Sequence, residues 1–168
     1  MFDDELLALA RRVLERCRGT GLRLAAAESC TGGLVIGCLT EIPGSSDVVD
    51  RGYVTYSDAA KQEMLGVRSE SLARFGAVSE IVAREMAEGA LARSGADLAV
   101  AVTGIAGPGG GTPDKPVGLV HFAALRRGEP ARHQQYVFAG DRREVRLAAV
   151  RTALAMLAER AEGSPILV

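Results

Sequence analysis

One short segment of the 168-residue sequence combines a nucleophile with backbone suited to holding an anion. The segment Ala27-Glu28-Ser29-Cys30-Thr31-Gly32-Gly33 lies between an apolar run that predicts a buried strand and a stretch that predicts a helix. Ser29 is expected near the helix N-terminus, where free backbone N–H groups favour a phosphate or an oxyanion. Gly32 and Gly33 would allow a ligand to approach the backbone closely. The alternative is that Ser29 or Thr31 only caps the helix.

A serine nucleophile needs a base, and the sequence offers no well-placed histidine. His121 and His133 both fall in late predicted strands, where a structural or exposed role is expected. Lys61 is the better base, because burial can lower the pKa of a lysine until its neutral form is available. Tyr56, five residues earlier, could relay or orient the proton. From the residues alone, a solvated charge on the outer face of a helix is the favoured alternative for Lys61.

Cys30 is a rival nucleophile, because a thiol at a helix N-terminus has a lowered pKa. The alternative is a small buried side chain without chemistry. Three cysteines without a Cys-x-x-Cys pair indicate reduced thiols, not a disulfide framework or a zinc site. No spacing of histidines or acidic residues is typical of a metal site, so we expect a reaction without metal or other cofactor.

A glycine-rich loop follows the apolar run 97–102 and predicts close approach of the backbone to a phosphate or a ribose. It matches neither a Walker A loop nor the dinucleotide-binding fingerprint. A flexible structural loop is the alternative. Arg142 and Arg146 share one face of the last predicted helix, where they could bind phosphate, pair with carboxylates or lie at an interface. The loop residues expected to contact a ligand are Thr103, Gly104, Ala106, Gly107, Gly109 and Gly110.

The elements that must position these residues alternate early in the chain and end in a hairpin. Strands are predicted at 22–27, 48–56, 97–102, 117–125 and 133–138. Helices are predicted at 3–18, 31–40, 79–94 and 141–161, and Asp58 is expected to cap a further helix that carries Lys61. This order predicts an α/β fold with a mixed sheet covered by helices, in a single domain over 1–168.

Composition excludes several classes of partner. Net charge is -1, and aromatic residues make up only 4% without any Trp, so neither nucleic-acid attraction nor base stacking is expected. No apolar run reaches the roughly 18 to 20 residues that span a bilayer, and the acidic N-terminus is not a signal peptide. We expect a cytoplasmic protein without a membrane partner. Amphipathic terminal helices and alanine-rich faces are compatible with a homo-oligomer.

Several motifs occur in the order typical of one family. From about Leu6 to Ala161 the chain closely resembles the C-terminal domain of the competence/damage-inducible protein CinA. The motifs that carry the resemblance are Glu28-Ser29-Cys30-Thr31-Gly32-Gly33, Pro43-Gly44-Ser45-Ser46, Tyr56-Ser57 with Lys61, Gly76-Ala77-Val78-Ser79, Thr103-Gly104-Ile105-Ala106-Gly107-Pro108-Gly109-Gly110, Lys115-Pro116-Val117-Gly118 and Gly140-Asp141-Arg142.

The resemblance implies a three-layer sandwich and an activity. Stand-alone members hydrolyse the carboxamide of nicotinamide mononucleotide to nicotinic acid mononucleotide and ammonia, in pyridine-nucleotide salvage. Ser29 would then be the nucleophile, Lys61 its base and Tyr56 an assisting residue. Further substrate contacts are expected from the turn residues Glu28, Cys30, Thr31, Gly32 and Gly33, and from Arg142. The alternative is a non-catalytic module that binds a nucleotide or recruits a partner in competence or the DNA damage response.

Overall fold

The computed structural model of the protein describes residues 2–162, which form a five-stranded sheet between two layers of helices. The strands are β1 Leu24–Glu28, β2 Val49–Val54, β3 Leu98–Gly104, β4 Leu119–Arg126 and β5 Arg132–Val137. The helices are α1 Asp4–Thr20, α2 Leu34–Thr40, α3 Asp58–Leu65, α4 Ser69–Phe75, α5 Glu80–Ala92 and α6 Arg142–Glu162, with a short 3-10 helix at Ser45–Asp47.

The sheet is mixed and has the strand order β2-β1-β3-β4-β5. Strand β1 pairs in parallel with β2 on one side and with β3 on the other, whereas β4 pairs antiparallel with both β3 and β5. The chain leaves β1 through α2 to reach β2, and then returns through α3, α4 and α5 to β3 on the opposite side of β1. The carboxyl ends of three parallel strands therefore meet where the strand order reverses, which is where α/β proteins bind ligands.

The two faces of the sheet bury different side chains, because neighbouring residues of a strand point to opposite sides. One face packs with α1, α2 and α6 and carries the larger residues, among them Leu24, Leu98, Val100, Val102, Val120 and Phe122. The other face packs against α5, which α3 and α4 cover in turn, and it carries the alanines 25, 27, 99, 101 and 123. Small side chains on this face leave room for a helix close to the sheet. The predicted three-layer α/β sandwich is confirmed.

Two predicted element starts are wrong. Helix α2 begins at Leu34 and not at Thr31, because Gly32 and Gly33 have φ values of 59° and 97°, which a right-handed helix does not accept. Helix α3 is capped by Ser57, whose side chain accepts a hydrogen bond from the Ala60 N–H, so Asp58 is not the cap. Helix α4 lies in a stretch for which the sequence pattern predicts no separate element.

The longest helix, α6, begins as predicted. The Asp141 carboxylate accepts a hydrogen bond from the Glu144 N–H at 2.9 Å and so caps its first turn. The helix is charged along its outer face and buries its other face, with residues such as Val145, Ala149 and Leu157 in the core. Within residues 2–162, no helix is both long enough and apolar enough to cross a membrane.

Candidate active site

A cavity of about 290 Å³ opens at the carboxyl ends of β1, β2 and β3. Residues at the end of each strand line this cavity: Ser29 follows β1 directly, Tyr56 lies just beyond β2, and β3 ends in Thr103 and Gly104. Eleven of the residues predicted from the sequence line this cavity, namely Ser29, Cys30, Tyr56, Lys61, Thr103, Gly104, Ala106, Gly107, Gly109, Gly110 and Arg142.

Lys61 extends into the cavity from the buried face of helix α3. Its Nζ donates to Ser29 Oγ at 3.1 Å and to the Thr55 carbonyl at 2.9 Å. The residue is 1% exposed, which excludes the alternative of a solvated surface charge. Lys61 and Leu65 are the buried residues of the helix and lie one turn apart, so the face that anchors α3 also carries the lysine.

Burial lowers the pKa of Lys61 from its ordinary value, because the ammonium group loses its hydration. The nearby Asp58 carboxylate opposes this shift, and none of the ion pairs among the described residues includes Lys61. A lysine in this state can exist as a neutral amine and accept the proton of a hydroxyl group. Ser29 and Lys61 therefore have the geometry of a nucleophile and its base.

Helix α2 is capped by Glu28 from within the sheet. The carboxylate is 1% exposed and accepts hydrogen bonds from the N–H groups of Gly33, Val35 and Ile36 at 2.9, 3.1 and 3.0 Å. The protein itself therefore supplies the anion that the N-terminus of α2 favours. The alternative that Ser29 or Thr31 only caps this helix is wrong, since neither side chain bonds to these donors.

The turn before α2 keeps two backbone donors free. The Ser29 N–H donates to the Val102 carbonyl at 2.9 Å, and the Gly32 N–H donates to the Ser29 carbonyl at 3.1 Å. No acceptor in another residue among residues 2–162 takes the N–H groups of Cys30 or Thr31. Unpaired backbone donors in a buried turn are rare, and that of Cys30, which lines the cavity beside the nucleophile, is suited to an oxyanion.

Cys30 lines the cavity, but its burial disfavours a reactive thiolate. The residue is 5% exposed, and burial raises the pKa of its thiol to about 11. The charges of Arg146 and Lys61 act in the opposite direction but are smaller effects. The pKa expected to fall at the helix N-terminus therefore rises. All three cysteines are buried and free.

Tyr56 and Arg142 lie together at the mouth of the cavity. The Tyr56 side chain is 61% exposed, and its hydroxyl accepts a hydrogen bond from Arg142 Nη2 at 2.9 Å. Arg142 Nη1 donates to the Gly107 carbonyl, also at 2.9 Å, so the guanidinium joins the tyrosine to the glycine-rich loop. Lys61 Nζ donates to the backbone carbonyl of Tyr56 at 3.5 Å. Its hydroxyl bonds to neither Lys61 nor Ser29 within residues 2–162.

The glycine-rich loop presents its backbone to the cavity. Gly107 and Gly110 have φ values of 84° and 88°, and a Cβ at Gly107 would lie 2.6 Å from the Val117 side chain. The Thr103 hydroxyl donates to the Ala77 carbonyl at 2.9 Å and so holds the end of β3. Four N–H groups of the loop, those of residues 106, 107, 109 and 110, donate to no acceptor within the described chain. Such donors suit phosphate or ribose oxygens.

The residues that line the cavity also differ from the site residues predicted from the sequence. Four predicted residues do not line it but lie next to Ser29 in the chain, namely Glu28, Thr31, Gly32 and Gly33. Of these, Thr31 is fully buried. Four residues that sequence reasoning missed do line it, namely Asp58, Ala77, Val78 and Ile105. Asp58 precedes Lys61 by three residues in one helix, and this spacing could have indicated that Asp58 lies beside Lys61 in the site.

The two histidines lie outside the cavity. His121 Nδ1 and His133 Nε2 are 3.0 Å apart on β4 and β5, and burial lowers the pKa of His121 to about 4. The structure therefore brings neither imidazole to Ser29. Across residues 2–162, no group of three or more His, Cys, Asp or Glu side chains could hold a metal ion.

Known proteins match this chain along nearly its whole length. The nicotinamide-nucleotide amidohydrolase PncC of Escherichia coli K12 is 50% identical over 158 residues, which cover 94% of this chain and 95% of that protein. A CinA-like protein of Akkermansia muciniphila is 53% identical over 145 residues, 86% of this chain but only 35% of that longer protein.

A solved structure and a family model agree with these relatives. The crystal structure of the competence/damage inducible protein CihA from Agrobacterium tumefaciens superposes with a TM-score of 0.93. It has 55% sequence identity and covers 95% of this chain and 97% of that one. The model of the CinA C-terminal domain matches residues 6–161. The chain therefore belongs to the family of CinA C-terminal domains.

Proposed function

We propose that the protein hydrolyses the carboxamide of nicotinamide mononucleotide to nicotinic acid mononucleotide and ammonia, in pyridine-nucleotide salvage. The 3.1 Å contact between Lys61 Nζ and Ser29 Oγ carries this proposal, because it joins a buried lysine to the hydroxyl group that directly follows β1. The substrate class is supported by the half-identical relative named a nicotinamide-nucleotide amidohydrolase.

The first half of the reaction forms an ester. Ser29 Oγ attacks the carboxamide carbon while neutral Lys61 takes its proton, and the carbonyl π electrons move to the oxygen. The free N–H group of Cys30, which lines the cavity beside Ser29, stabilises the resulting oxyanion. When the carbonyl re-forms, the C–N bond breaks, and Lys61 returns its proton to the nitrogen, which leaves as ammonia.

The second half consumes water. A water molecule gives a proton to Lys61 as its oxygen bonds to the acyl carbon, and the Cys30 N–H group also holds the second oxyanion. The bond to Ser29 Oγ then breaks, Lys61 returns the proton to the serine, and nicotinic acid mononucleotide leaves. The base thus ends each cycle in its neutral form, ready for the next substrate.

The remote parts of the nucleotide bind at the opposite wall of the cavity. The free N–H groups of the loop 106–110 receive phosphate or ribose oxygens, and Arg142 adds a positive charge at the mouth. Binding energy from these groups holds the carboxamide against Ser29. Free nicotinamide lacks them and should be a poor substrate.

Ammonia release from nicotinamide mononucleotide by purified protein tests this function. We expect wild type to be active, and Ser29→Ala and Lys61→Met to lose at least about 100-fold in kcat/KM. Lys61→Arg is the matched control for charge, because a guanidinium stays protonated and cannot act as a base; it should be as inactive as Lys61→Met. A Ser29→Ala variant with full activity would exclude Ser29 as the nucleophile.

A wild-type protein that binds the nucleotide without releasing ammonia would favour the alternative, a non-catalytic binding or recruiting module. Calorimetric binding of nicotinamide mononucleotide to Ser29→Ala shows whether this variant loses catalysis or substrate binding, since it should bind the substrate without converting it. A single amidase domain over 1–168, a homo-oligomer and a cytoplasmic location stay predictions.

A further inference from the structure

Arg146 bonds to the backbone of the turn that carries Ser29. It lies one helical turn after Arg142 on α6, and its Nε donates to the Cys30 carbonyl at 3.0 Å. Its Nη2 donates to the Thr31 carbonyl, also at 3.0 Å. The ion pairs among residues 2–162 do not include Arg146, and it does not line the cavity with Ser29. Its guanidinium group therefore donates to two consecutive peptide carbonyls.

These two bonds fix the direction of a free donor. In a trans peptide the C=O and N–H groups point in opposite directions. The Cys30 carbonyl belongs to the same peptide as the Thr31 N–H, so holding this carbonyl toward α6 turns the Thr31 N–H away from α6. The Thr31 N–H is one of the two donors that no acceptor in the described chain occupies.

The hydrogen bond from Arg146 to the Thr31 carbonyl affects the Cys30 N–H indirectly, through the Gly32 peptide. The Thr31 carbonyl shares a peptide with the Gly32 N–H, which donates to the Ser29 carbonyl at 3.1 Å. The Ser29 carbonyl in turn shares a peptide with the Cys30 N–H. Arg146 is thus connected to the orientation of both unoccupied N–H groups, directly for Thr31 and through Gly32 for Cys30.

We propose that Arg146 is a positioning residue that orients the oxyanion-binding N–H group of Cys30 by holding the carbonyls of its turn. The inference rests on the proposed amide hydrolysis. A planar guanidinium can donate to two neighbouring carbonyls at once, which a lysine ammonium on a flexible stem does not reproduce. Gly32 leaves the space for this group, because a Cβ there would lie 3.3 Å from Arg146 Nη2.

The test compares Arg146→Ala and Arg146→Lys with Arg143→Ala as the matched control. Arg143 lies on the same helix, is exposed, and makes no hydrogen bond to the turn. We expect Arg146→Ala to lower kcat for nicotinamide mononucleotide by about 100-fold with KM within about threefold, as a lost oxyanion contact does. Arg146→Lys should recover only part of this loss, and Arg143→Ala should match wild type. Circular dichroism melting shows whether each variant is folded.

Chemical rescue separates positioning from a general structural role. Added guanidinium ion should restore part of the kcat of Arg146→Ala and none of that of Ser29→Ala. The proposal is overturned if Arg146→Ala keeps the wild-type kcat, if only KM rises, or if a folded Arg146→Ala is not rescued by guanidinium.

A second substrate tests the positioning role of Arg146 without the nucleotide. Acylation of Ser29 by p-nitrophenyl acetate needs the same oxyanion contacts, and it is followed by p-nitrophenolate release and by the mass of the acetylated protein. If wild type is acylated but releases no ammonia from nicotinamide mononucleotide, the proposed function fails. Slower acylation of Arg146→Ala would then still support the positioning role, whereas equal acylation would overturn it. A wild type that reacts with neither compound would overturn both proposals.

Discussion

Lys61 Nζ donates to Ser29 Oγ at 3.1 Å from a position that is 1% exposed and has no ion-pair partner within residues 2–162. Burying an ammonium group without a counter-ion costs free energy, and a protein reduces this cost by releasing the proton. The same burial that weakens the fold at this position therefore makes the amine available to the serine. Stability and chemistry oppose each other at Lys61, which is typical of a functional group.

The pH dependence of the reaction should report Lys61. Because only the neutral amine accepts a proton, kcat/KM should fall as the pH falls through the lowered pKa of this residue. The Asp58 carboxylate raises this pKa, so Asp58→Asn should lower it further and move the acidic limb of the profile to lower pH. Initial rates of ammonia release between about pH 5 and pH 10 measure the shift.

The control for this shift is Glu63→Gln, which removes an exposed carboxylate from the same helix without contact to the cavity. Its profile should coincide with that of wild type. An acidic limb that stays in place in Asp58→Asn, or moves to higher pH, would contradict the assignment of Lys61 as the base.

Replacing Cys30 should leave the reaction nearly unchanged. Its thiol has a pKa of about 11 because it is buried, so almost none is thiolate at neutral pH. We expect Cys30→Ala to keep kcat within about fivefold of wild type, and iodoacetamide to leave wild-type activity intact at neutral pH. Cys38→Ala, another buried thiol with a pKa of about 11, controls for loss of side-chain volume. A Cys30→Ala variant that is inactive while Ser29→Ala is active would make the cysteine the nucleophile.

Tyr56→Phe distinguishes two roles for the tyrosine. Its hydroxyl accepts a hydrogen bond from Arg142 at the mouth of the cavity, so removing it should loosen Arg142 and raise KM by about 3- to 10-fold with little change in kcat. Arg142→Gln should raise KM in the same way, and the double variant should add little to either change. A large fall in kcat at unchanged KM would instead support the predicted proton relay.

Apolar runs and turn residues were enough to predict the strands and the layered fold, because burial imposes their pattern locally. The Glu28 cap could not be predicted in this way. The carboxylate caps a helix that begins at Leu34, six residues later, whereas capping patterns consider side chains at the helix start itself. A glutamate at the end of a strand therefore suggested a ligand contact and not a structural one.

The contacts that organise the site are also distant in sequence. Lys61 lies 32 residues from Ser29, and Arg146 lies 116 residues from Cys30. Periodicity places each residue on an element, but the sheet order decides which elements meet, and parallel pairing of β1 with both β2 and β3 has no local signal. The pairing of Ser29 with Lys61 was expected only from the family resemblance, and Arg146 was expected to bind phosphate, pair with carboxylates or lie at an interface.

The last prediction concerns Gly89, which lies outside the cavity where α5 contacts the end of α3. A Cβ at this position of α5 would overlap the backbone carbonyl of Leu65, at the end of α3. Gly89→Ala should therefore push α3 outward, lower the free energy of unfolding by about 2 kcal/mol or more, and reduce kcat in the protein that stays folded. Gly19→Ala is the control, because nothing lies within 4 Å of a Cβ there and alanine in helix α1 should stabilise by about 0.5–1 kcal/mol. Urea unfolding and ammonia release measure both effects. If Gly89→Ala is as stable and active as wild type, close contact between α3 and α5 does not set the position of the lysine.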